Sequence, residues 1–121
     1  MISEGDIFLF RFPQTDLAIG KLRPALIIRQ VGEVFDDWLI CMISTRIKHQ
    51  IPDLEMVIDP SQKDFAITGL KKPSLLRTSR LAVIQGKNLE GKIGSLPSHQ
   101  FEILREKLAN WIRGTHPDEK S

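Results

Sequence analysis

Residues 22–45, LRPALIIRQVGEVFDDWLICMIST, hold two apolar runs separated by a turn-forming segment at residues 32–37. Arg23 precedes a proline, whose ring pushes the preceding residue out of the helical region into extended geometry. We therefore predict that the first run forms a strand over residues 25–29. The second run, residues 38–45, is apolar enough to be buried on both faces and too short for a typical helix, so it predicts another strand.

These two strands predict a hairpin that brings distant polar side chains together. If the hairpin turns around Val34, residues whose numbers sum to about 68 face each other, and Pro24 pairs with Ser44. Arg23 then lies at the same open end as Ser44 and Thr45. A guanidinium beside a hydroxyl can hold a phosphate. Taken singly, an exposed arginine more often forms a surface ion pair, and a hydroxyl at a strand end is more often merely solvated.

Outward from the hairpin, the pattern is mostly that of short strands. Residues 6–12 alternate so that three aromatic side chains share one side of an extended chain: Phe8, Phe10 and Phe12. Residues 13–21 predict a loop. Residues 51–58 alternate well enough for a further strand. Residues 75–84 predict one long strand or two short ones, because polar side chains interrupt the apolar run.

The period changes near the C-terminus. From Ser98 onward, apolar residues recur at helical spacing: Phe101, Leu104, Leu108, Trp111 and Ile112. Ser98 is a candidate N-cap and Gly114 a candidate stop. The pattern therefore predicts one mainly β domain with a C-terminal helix over residues 1–114, built as a compact, partly open barrel, and a polar tail over residues 115–121.

Composition excludes several classes of protein. Lys and Arg total 17 against 15 Asp and Glu, a formal charge of +2, and Cys41 is the single cysteine. A disulfide framework and a multi-cysteine zinc site are therefore excluded. We find neither a membrane-length apolar run nor a signal-peptide pattern, so we expect a soluble, cytoplasmic protein without membrane association. Residues 69–92 carry six cationic side chains against Glu90 alone. This local excess suits phosphates or acidic peptides, although an ordinary solvated surface explains it equally well.

The residue types that most often act as nucleophiles, bases or metal ligands do not indicate a catalytic site in this sequence. Cys41 lies in an apolar strand, where a buried, inert thiol is the common case. The chain has three histidines, none of which is a convincing base: His49, His99 and His116. We identify no His or carboxylate set with the spacing of metal ligands, so we expect neither a metal nor another cofactor.

Four stretches, taken in order, resemble the MazF/PemK family of toxin endoribonucleases, the toxins of type II toxin–antitoxin systems. They are GDIFLFRFP at residues 5–13, KLRPALII at 21–28, MISTRI at 42–47 and GLKKPSLLRTSRLAVI at 69–84. The resemblance implies an SH3-like barrel with a C-terminal helix, a homodimer, and metal-independent cleavage of single-stranded RNA. It also implies a cognate antitoxin whose acidic or partly disordered segment occupies the RNA groove.

The resemblance implies specific site residues. The family's catalytic arginine falls on Arg23, and its catalytic hydroxyl, usually a threonine, falls on Ser44. Candidates for RNA binding are the nearby hydroxyl and basic residues: Thr45, Arg46, Lys71, Lys72, Ser74 and Arg77. Several relatives carry an acidic residue in the site region, where this chain offers Arg77.

The implied reaction is attack by the RNA's own 2′-hydroxyl on the adjacent phosphorus, which gives a 2′,3′-cyclic phosphate and a 5′-hydroxyl. Two alternatives stay open. The first is a non-enzymatic inhibitor that binds a protein target, as the related CcdB-type gyrase poisons do, and that depends on the terminal helix. The second is a small-barrel RNA-binding module without turnover.

Overall fold

The computed structural model describes residues 1–12 and 20–115, which form six strands and one α-helix joined by turns. The elements are β1 (Asp6–Arg11), β2 (Leu22–Gln30), β3 (Asp37–Ser44), β4 (Met56–Ile58), β5 (Ser74–Gln85), β6 (Leu89–Ser95) and α1 (Ser98–Arg113). Most of the predicted loop at 13–21 and most of the predicted tail at 115–121 lie outside the described residues. No helix in the described part of the chain is both long and apolar enough to cross a membrane.

All six strands belong to one antiparallel sheet. Their order is β4-β5-β3-β2-β1-β6, so β4 and β6 are its two edges and the sheet is not closed. The prediction of a mainly β, partly open architecture with a C-terminal helix is confirmed. The sequence analysis missed β6, whose glycines and lysine conceal the apolar alternation on which strand prediction relies.

Apolar side chains form a layer on each face of the sheet. Strand residues such as Leu26 and Cys41 pack with three buried side chains of α1: Phe101, Leu104 and Leu108. Their chain neighbours Ala25 and Ile40 belong to the second layer, because successive strand residues point to opposite faces. Phe8, Phe10 and Phe12 all contribute to this second layer, as predicted. Cys41 is fully buried, and burial raises the pKa of its thiol to about 12, so it is a core residue.

The pairing of β2 with β3 departs from the predicted register at one end. Arg29 pairs with Leu39, which fits the prediction, but Ala25 pairs with Met42, and the register shifts between Ile27 and Arg29. The predicted Pro24–Ser44 pairing is therefore wrong by one residue. Continuing the observed register by two residues sets Arg23 opposite Ser44, so the shift brings these two residues closer in register than predicted.

One other prediction needs correction beside this hairpin, and one alternative is decided. Only Met56–Ile58 of the predicted strand at 51–58 is a strand, because residues 51–55 close a turn in which the Leu54 and Glu55 amides both donate to the Ile51 carbonyl. β5 is one long strand, and residues 78–80 are left without partners in β3. The turn docks on that irregularity, where the Thr78 hydroxyl donates to the Leu54 carbonyl at 2.7 Å.

The ends of α1 follow the sequence only in part. Ser98 is the first helical residue and the cap position is Pro97, without a side-chain capping bond, so the prediction of Ser98 as the N-cap is wrong. Gly114 ends the helix as predicted, with a φ of 76°. The Gly114 amide donates to the Trp111 carbonyl and the Thr115 amide to the Asn110 carbonyl, which together form a Schellman motif.

Gly69 anchors the loop between residues 69 and 73 against β6. Its φ of 74° lies in the left-handed region, and a Cβ there would lie 2.1 Å from the Ile93 carbonyl oxygen. Gly69 therefore permits both the turn and the close backbone approach that holds this loop beside the sheet.

We expect Gly69→Ala to destabilise the protein by at least about 2 kcal/mol, because the backbone at Ile93 cannot move aside cheaply. Gly32→Ala is a matched control, since Gly32 has a similar φ of 72° and no heavy atom within 4 Å of the added carbon. The Gly32→Ala variant should lose only the free energy needed to hold an alanine at a positive φ, about 1 kcal/mol. Equal losses in chemical denaturation would contradict the importance of the close approach.

Candidate active site

Arg23 on β2 and Ser44 at the end of β3 line the same two surface clefts. One cleft, of about 360 Å³, is lined by Leu22, Arg23, Pro24, Ile43, Ser44, Thr45, Leu70, Lys71, Lys72 and Ser74. We call it the lysine cleft. The other, of about 300 Å³, is lined by Phe12, Lys21, Arg23, Met42, Ser44, Arg46 and Arg77. We call it the arginine cleft. Arg23 and Ser44 are common to both, so they lie where the two clefts meet.

Ser44 is held in a local turn that leaves its proton available. The Ser44 Oγ accepts a hydrogen bond of 3.0 Å from the backbone N–H of Arg46. A hydroxyl can accept and donate at once. Within residues 1–12 and 20–115, the Ser44 hydroxyl donates to no other group. It can therefore donate to an oxygen of a bound anion.

Arg23 is exposed, and its guanidinium forms no hydrogen bond or ion pair with any described residue. A planar guanidinium presents five N–H donors in a fork that matches the spacing of phosphate oxygens. Beside the Ser44 hydroxyl, such a fork is suited to a phosphate group.

The surroundings of this pair are strongly cationic. Six basic side chains line the two clefts: Lys21, Arg23, Arg46, Lys71, Lys72 and Arg77. Of the described residues that line either cleft, none is acidic. Concave surfaces lined by one sign of charge concentrate ions of the opposite sign. The arrangement is suited to an extended polyanion that crosses from one cleft to the other.

The structure brings every predicted site residue to one of these clefts. Thr45, Lys71, Lys72 and Ser74 line the lysine cleft, whereas Arg46 and Arg77 line the arginine cleft. Ser74 is buried, and its hydroxyl donates to the Lys72 carbonyl at 2.8 Å, so it shapes the loop that carries the two lysines. The roles of these residues in catalysis and RNA binding stay predictions.

Arg77 is paired with Glu55, a carboxylate with 0% of its surface exposed. The Glu55 Oε1 accepts the Ile51 N–H at 2.9 Å, and its Oε2 accepts the Ser79 hydroxyl and, at 3.3 Å, the Nε–H of Arg77. Burial by itself raises the pKa of Glu55. The hydrogen bonds from Ser79 and Ile51 and the charge of Arg77 outweigh burial, so the pKa is lowered and the carboxylate is ionised.

Sequence reasoning missed Glu55, Lys21 and Phe12 as parts of this region. An alternating strand over residues 51–58 puts Glu55 on the polar face, and only the turn at 51–55 turns it inward. Lys21 and Phe12 flank the loop between β1 and β2, and the pairing of these strands brings them to the open end of the hairpin. Phe12 does carry a signal, because it continues the aromatic alternation of β1. In the described residues, no group of three or more His, Cys, Asp or Glu side chains is placed to hold a metal ion.

Residues 3–112 match the sequence profile of a family described as the PemK-like, MazF-like toxin of type II toxin–antitoxin systems. The chain belongs to the PemK/MazF toxin family. It is therefore a type II toxin, and its open sheet with a terminal helix is a MazF-like fold. No curated protein sequence matches this one significantly.

Solved structures place this PemK/MazF toxin among similar folds. It shares 24% identity and a TM-score of 0.65 with the Mycobacterium tuberculosis toxin MazF-mt6, over 89% of this chain and 96% of that one. A second structure, described as an Mtb toxin, is 26% identical with a TM-score of 0.56, over 73% of this chain and 90% of that one. A third structure is an endoribonuclease in complex with its cognate antitoxin, from a mycobacterial species. It is 14% identical with a TM-score of 0.66, over 97% of this chain and 100% of that one.

We expect the ionised Glu55 to make stability depend on pH in the acid range. Because its pKa is lowered by folding, its contribution is full at neutral pH and is lost as the pH falls through that lowered pKa. The free energy of unfolding of the wild type should therefore fall more steeply between about pH 5 and about pH 3 than that of Glu55→Gln. Denaturant titrations at several pH values measure this slope.

The matched control for this prediction is Glu102→Gln, since Glu102 is an exposed carboxylate on α1 paired with Arg105. Its acid slope should resemble that of the wild type, because exposed pairs contribute little. A Glu55→Gln protein with the wild-type slope would show that the buried pair does not couple folding to protonation.

Proposed function

We propose that this toxin is an endoribonuclease that cleaves single-stranded RNA without a metal ion, with Arg23 and Ser44 gripping the scissile phosphate. The observation that carries the proposal is that both side chains line both cationic clefts, at their junction. A phosphate there has a guanidinium and a hydroxyl within one concave site. The nucleotides on the two sides of that phosphate then each lie in one of the two clefts.

In the proposed reaction, the nucleophile belongs to the substrate. The ribose 2′-oxygen loses its proton to solvent water and bonds to the adjacent phosphorus, and the bond from phosphorus to the 5′-oxygen breaks. The 5′-oxygen takes a proton from solvent water as it leaves, which gives a 2′,3′-cyclic phosphate and a 5′-hydroxyl. The reaction needs neither an enzyme nucleophile nor an activated water, and Arg23 and Ser44 bind and stabilise the reacting phosphate.

Arg23 acts in this scheme through its charge. A guanidinium stays protonated near neutral pH, so it stabilises the extra negative charge on the five-coordinate phosphorane and does not shuttle the proton. Ser44 donates its free hydroxyl hydrogen to a non-bridging oxygen and orients the phosphorus for attack in line with the leaving group. The Arg46 amide holds the Ser44 Oγ in place for this role.

The two clefts suit flanking parts of an RNA strand. Lys71 and Lys72 bind phosphates on one side of the cut, and Arg46 and Arg77 bind phosphates on the other. A single strand can splay its bases away from such a path, whereas a duplex keeps them stacked and paired. The same cationic surface attracts an acidic antitoxin segment, so we propose that a cognate antitoxin inhibits the toxin by covering the clefts.

The homodimer stays a prediction. Large apolar side chains are exposed on the sheet and the β2–β3 turn, among them Phe35 and Val83. A second copy of the chain could bury them. A monodisperse monomer at micromolar concentration in light scattering would count against the dimer.

A second candidate function depends on the C-terminal end of α1. The last turns of α1 expose two adjacent large apolar side chains, Trp111 by 50% and Ile112 by 67%. A non-enzymatic inhibitor would use this surface to bind a protein target. In that case, Trp111→Ala would abolish growth inhibition, whereas Arg23→Ala would remain toxic.

The experiment that tests the proposed chemistry compares two single-stranded oligonucleotides in the presence of EDTA. One is all ribose, and the other carries a single 2′-deoxy sugar at the cut position. We expect only the ribose strand to be cut, with a 2′,3′-cyclic phosphate detected by mass spectrometry. Cleavage of the deoxy strand would refute attack by the 2′-hydroxyl, and loss of cleavage in EDTA would indicate a metal.

We expect Arg23→Ala to lower the cleavage rate roughly a hundredfold to a thousandfold, as loss of a preorganised donor does elsewhere. Ser44→Ala should lower it roughly ten- to a hundredfold, the worth of a hydrogen bond to a charged group, and Ser44→Thr should retain activity. Arg29→Ala is the control, because Arg29 is exposed on the same strand and lines neither cleft.

All of these variants should melt close to the wild-type temperature, because Arg23 has no partner among the described residues and Ser44 makes only one local bond. An Arg23→Ala protein that cleaves at the rate of Arg29→Ala would remove Arg23 from the proposed site.

A further inference from the structure

We propose that Glu55 is a positioning residue that orients the guanidinium of Arg77 in the arginine cleft for contact with an RNA phosphate flanking the cut. This inference rests on the proposed function. Glu55 lines neither cleft and touches no substrate itself, so its effect passes through Arg77.

The contact between the two residues fixes one part of the guanidinium and leaves the rest available. Glu55 accepts the Nε–H of Arg77 at 3.3 Å. The two terminal nitrogens of Arg77 make no hydrogen bond to any described residue. Only 13% of the Arg77 side chain is exposed, and the residue lines the arginine cleft. The side chain is therefore held by its inner nitrogen while its outer donors remain open to a ligand.

Glu55 is itself held from two directions. Its Oε1 accepts a hydrogen bond of 2.9 Å from the N–H of Ile51, in the same turn. Its Oε2 accepts a hydrogen bond from the hydroxyl of Ser79, on β5. The turn is fixed to β5 by the bond from the Thr78 hydroxyl to the Leu54 carbonyl. A carboxylate with this support cannot follow a moving arginine, so the contact restricts the orientation of the Arg77 guanidinium.

A purely structural role does not explain why the pair is ionic. Burying two charges costs desolvation, and apolar residues of similar size hold a turn to a strand as well or better. What the ion pair adds is a cation with a fixed direction at the wall of a cleft. Arg23, Arg46, Lys71 and Lys72 have no such carboxylate partner among the described residues, which singles out Arg77 as the oriented cation.

The proposal predicts that Glu55→Gln changes the affinity for RNA in the direction opposite to that expected from long-range electrostatics alone. Replacing Glu55 by Gln removes a negative charge beside a cationic cleft, so long-range attraction alone should tighten RNA binding. If Glu55 orients Arg77, Glu55→Gln should instead weaken binding by roughly three- to tenfold. The contact is to a flanking phosphate and exists before the reaction, so KM should rise more than kcat falls.

The experiment first maps where the wild type cuts a long transcript. It then measures the affinity for a short oligoribonucleotide spanning that site, made uncleavable by 2′-O-methyl groups, and the kinetics on the unmodified strand. The variants are Glu55→Gln, Arg77→Gln and the Glu55→Gln/Arg77→Gln double variant, with Glu102→Gln as the control for loss of one carboxylate at a distance. Thermal melts establish that each variant is folded at the assay temperature.

We expect Glu55→Gln to weaken binding in the wild-type background and to change it by less than about twofold when Arg77 is already Gln. Ser79→Ala is the second variant in case Glu55→Gln does not fold, since it removes one donor to Glu55 and leaves both charges in place. It should weaken binding less than Glu55→Gln, and its effect should also vanish in the Arg77→Gln background.

Three outcomes would overturn the inference. Folded Glu55→Gln that binds as tightly as the wild type or more tightly would refute it alone. An equal loss in both backgrounds would assign Glu55 a structural role independent of Arg77. A wild-type protein that cuts no RNA would overturn the proposed function and this inference together, so the two failures are distinguishable.

Discussion

The pairing of β2 with β3 determines where the candidate chemistry can occur. These strands lie in the middle of the sheet, and their register shifts by one residue between Ile27 and Arg29. Because strand side chains alternate between faces, a slip of one residue moves each of them to the opposite side of the sheet. The apolar layers on both faces oppose such a slip, since it would exchange side chains of different size between the two packed layers, such as Leu26 and Ala25. Packing in the core thus maintains the alignment of Arg23 with Ser44 at the surface.

Around that pair, the fold concentrates positive charge that has few partners. Six cationic side chains line two adjoining clefts, and like charges at such a site repel one another. Packing elsewhere in the fold has to offset this repulsion. The two apolar layers provide that packing. Such an arrangement costs stability in the free protein and is relieved when a polyanion binds. This is the behaviour expected of a surface whose proposed partners are RNA and an acidic antitoxin segment.

The two clefts are supported in different ways. The lysine cleft depends on backbone geometry, because Gly69 lets the loop approach β6 and Ser74 holds the Lys72 carbonyl. The arginine cleft depends on a side-chain network, in which Glu55 links the turn at residues 51–55 to Arg77 on β5. The first presents flexible ammonium groups, and the second presents at least one guanidinium with a constrained direction. A strand of RNA lying across both would meet general attraction on one side and a directional contact on the other.

The sequence by itself determined the hairpin, the aromatic face of β1, the terminal helix and the convergence of Arg23 with Ser44. Each of these follows from local signals, namely apolar periodicity, a proline and a closing glycine, acting over short distances along the chain. Only the tertiary structure decided the one-residue shift in β2, the strand at residues 89–95 and the burial of Glu55. In each of these the local pattern is weak or misleading: a bulge leaves no mark in the alternation, glycines conceal a strand, and a turn reverses the side on which a carboxylate lies. The partners that make Glu55 stable inside, Ser79 and Arg77, are more than twenty residues away and meet it only when β5 folds against the turn.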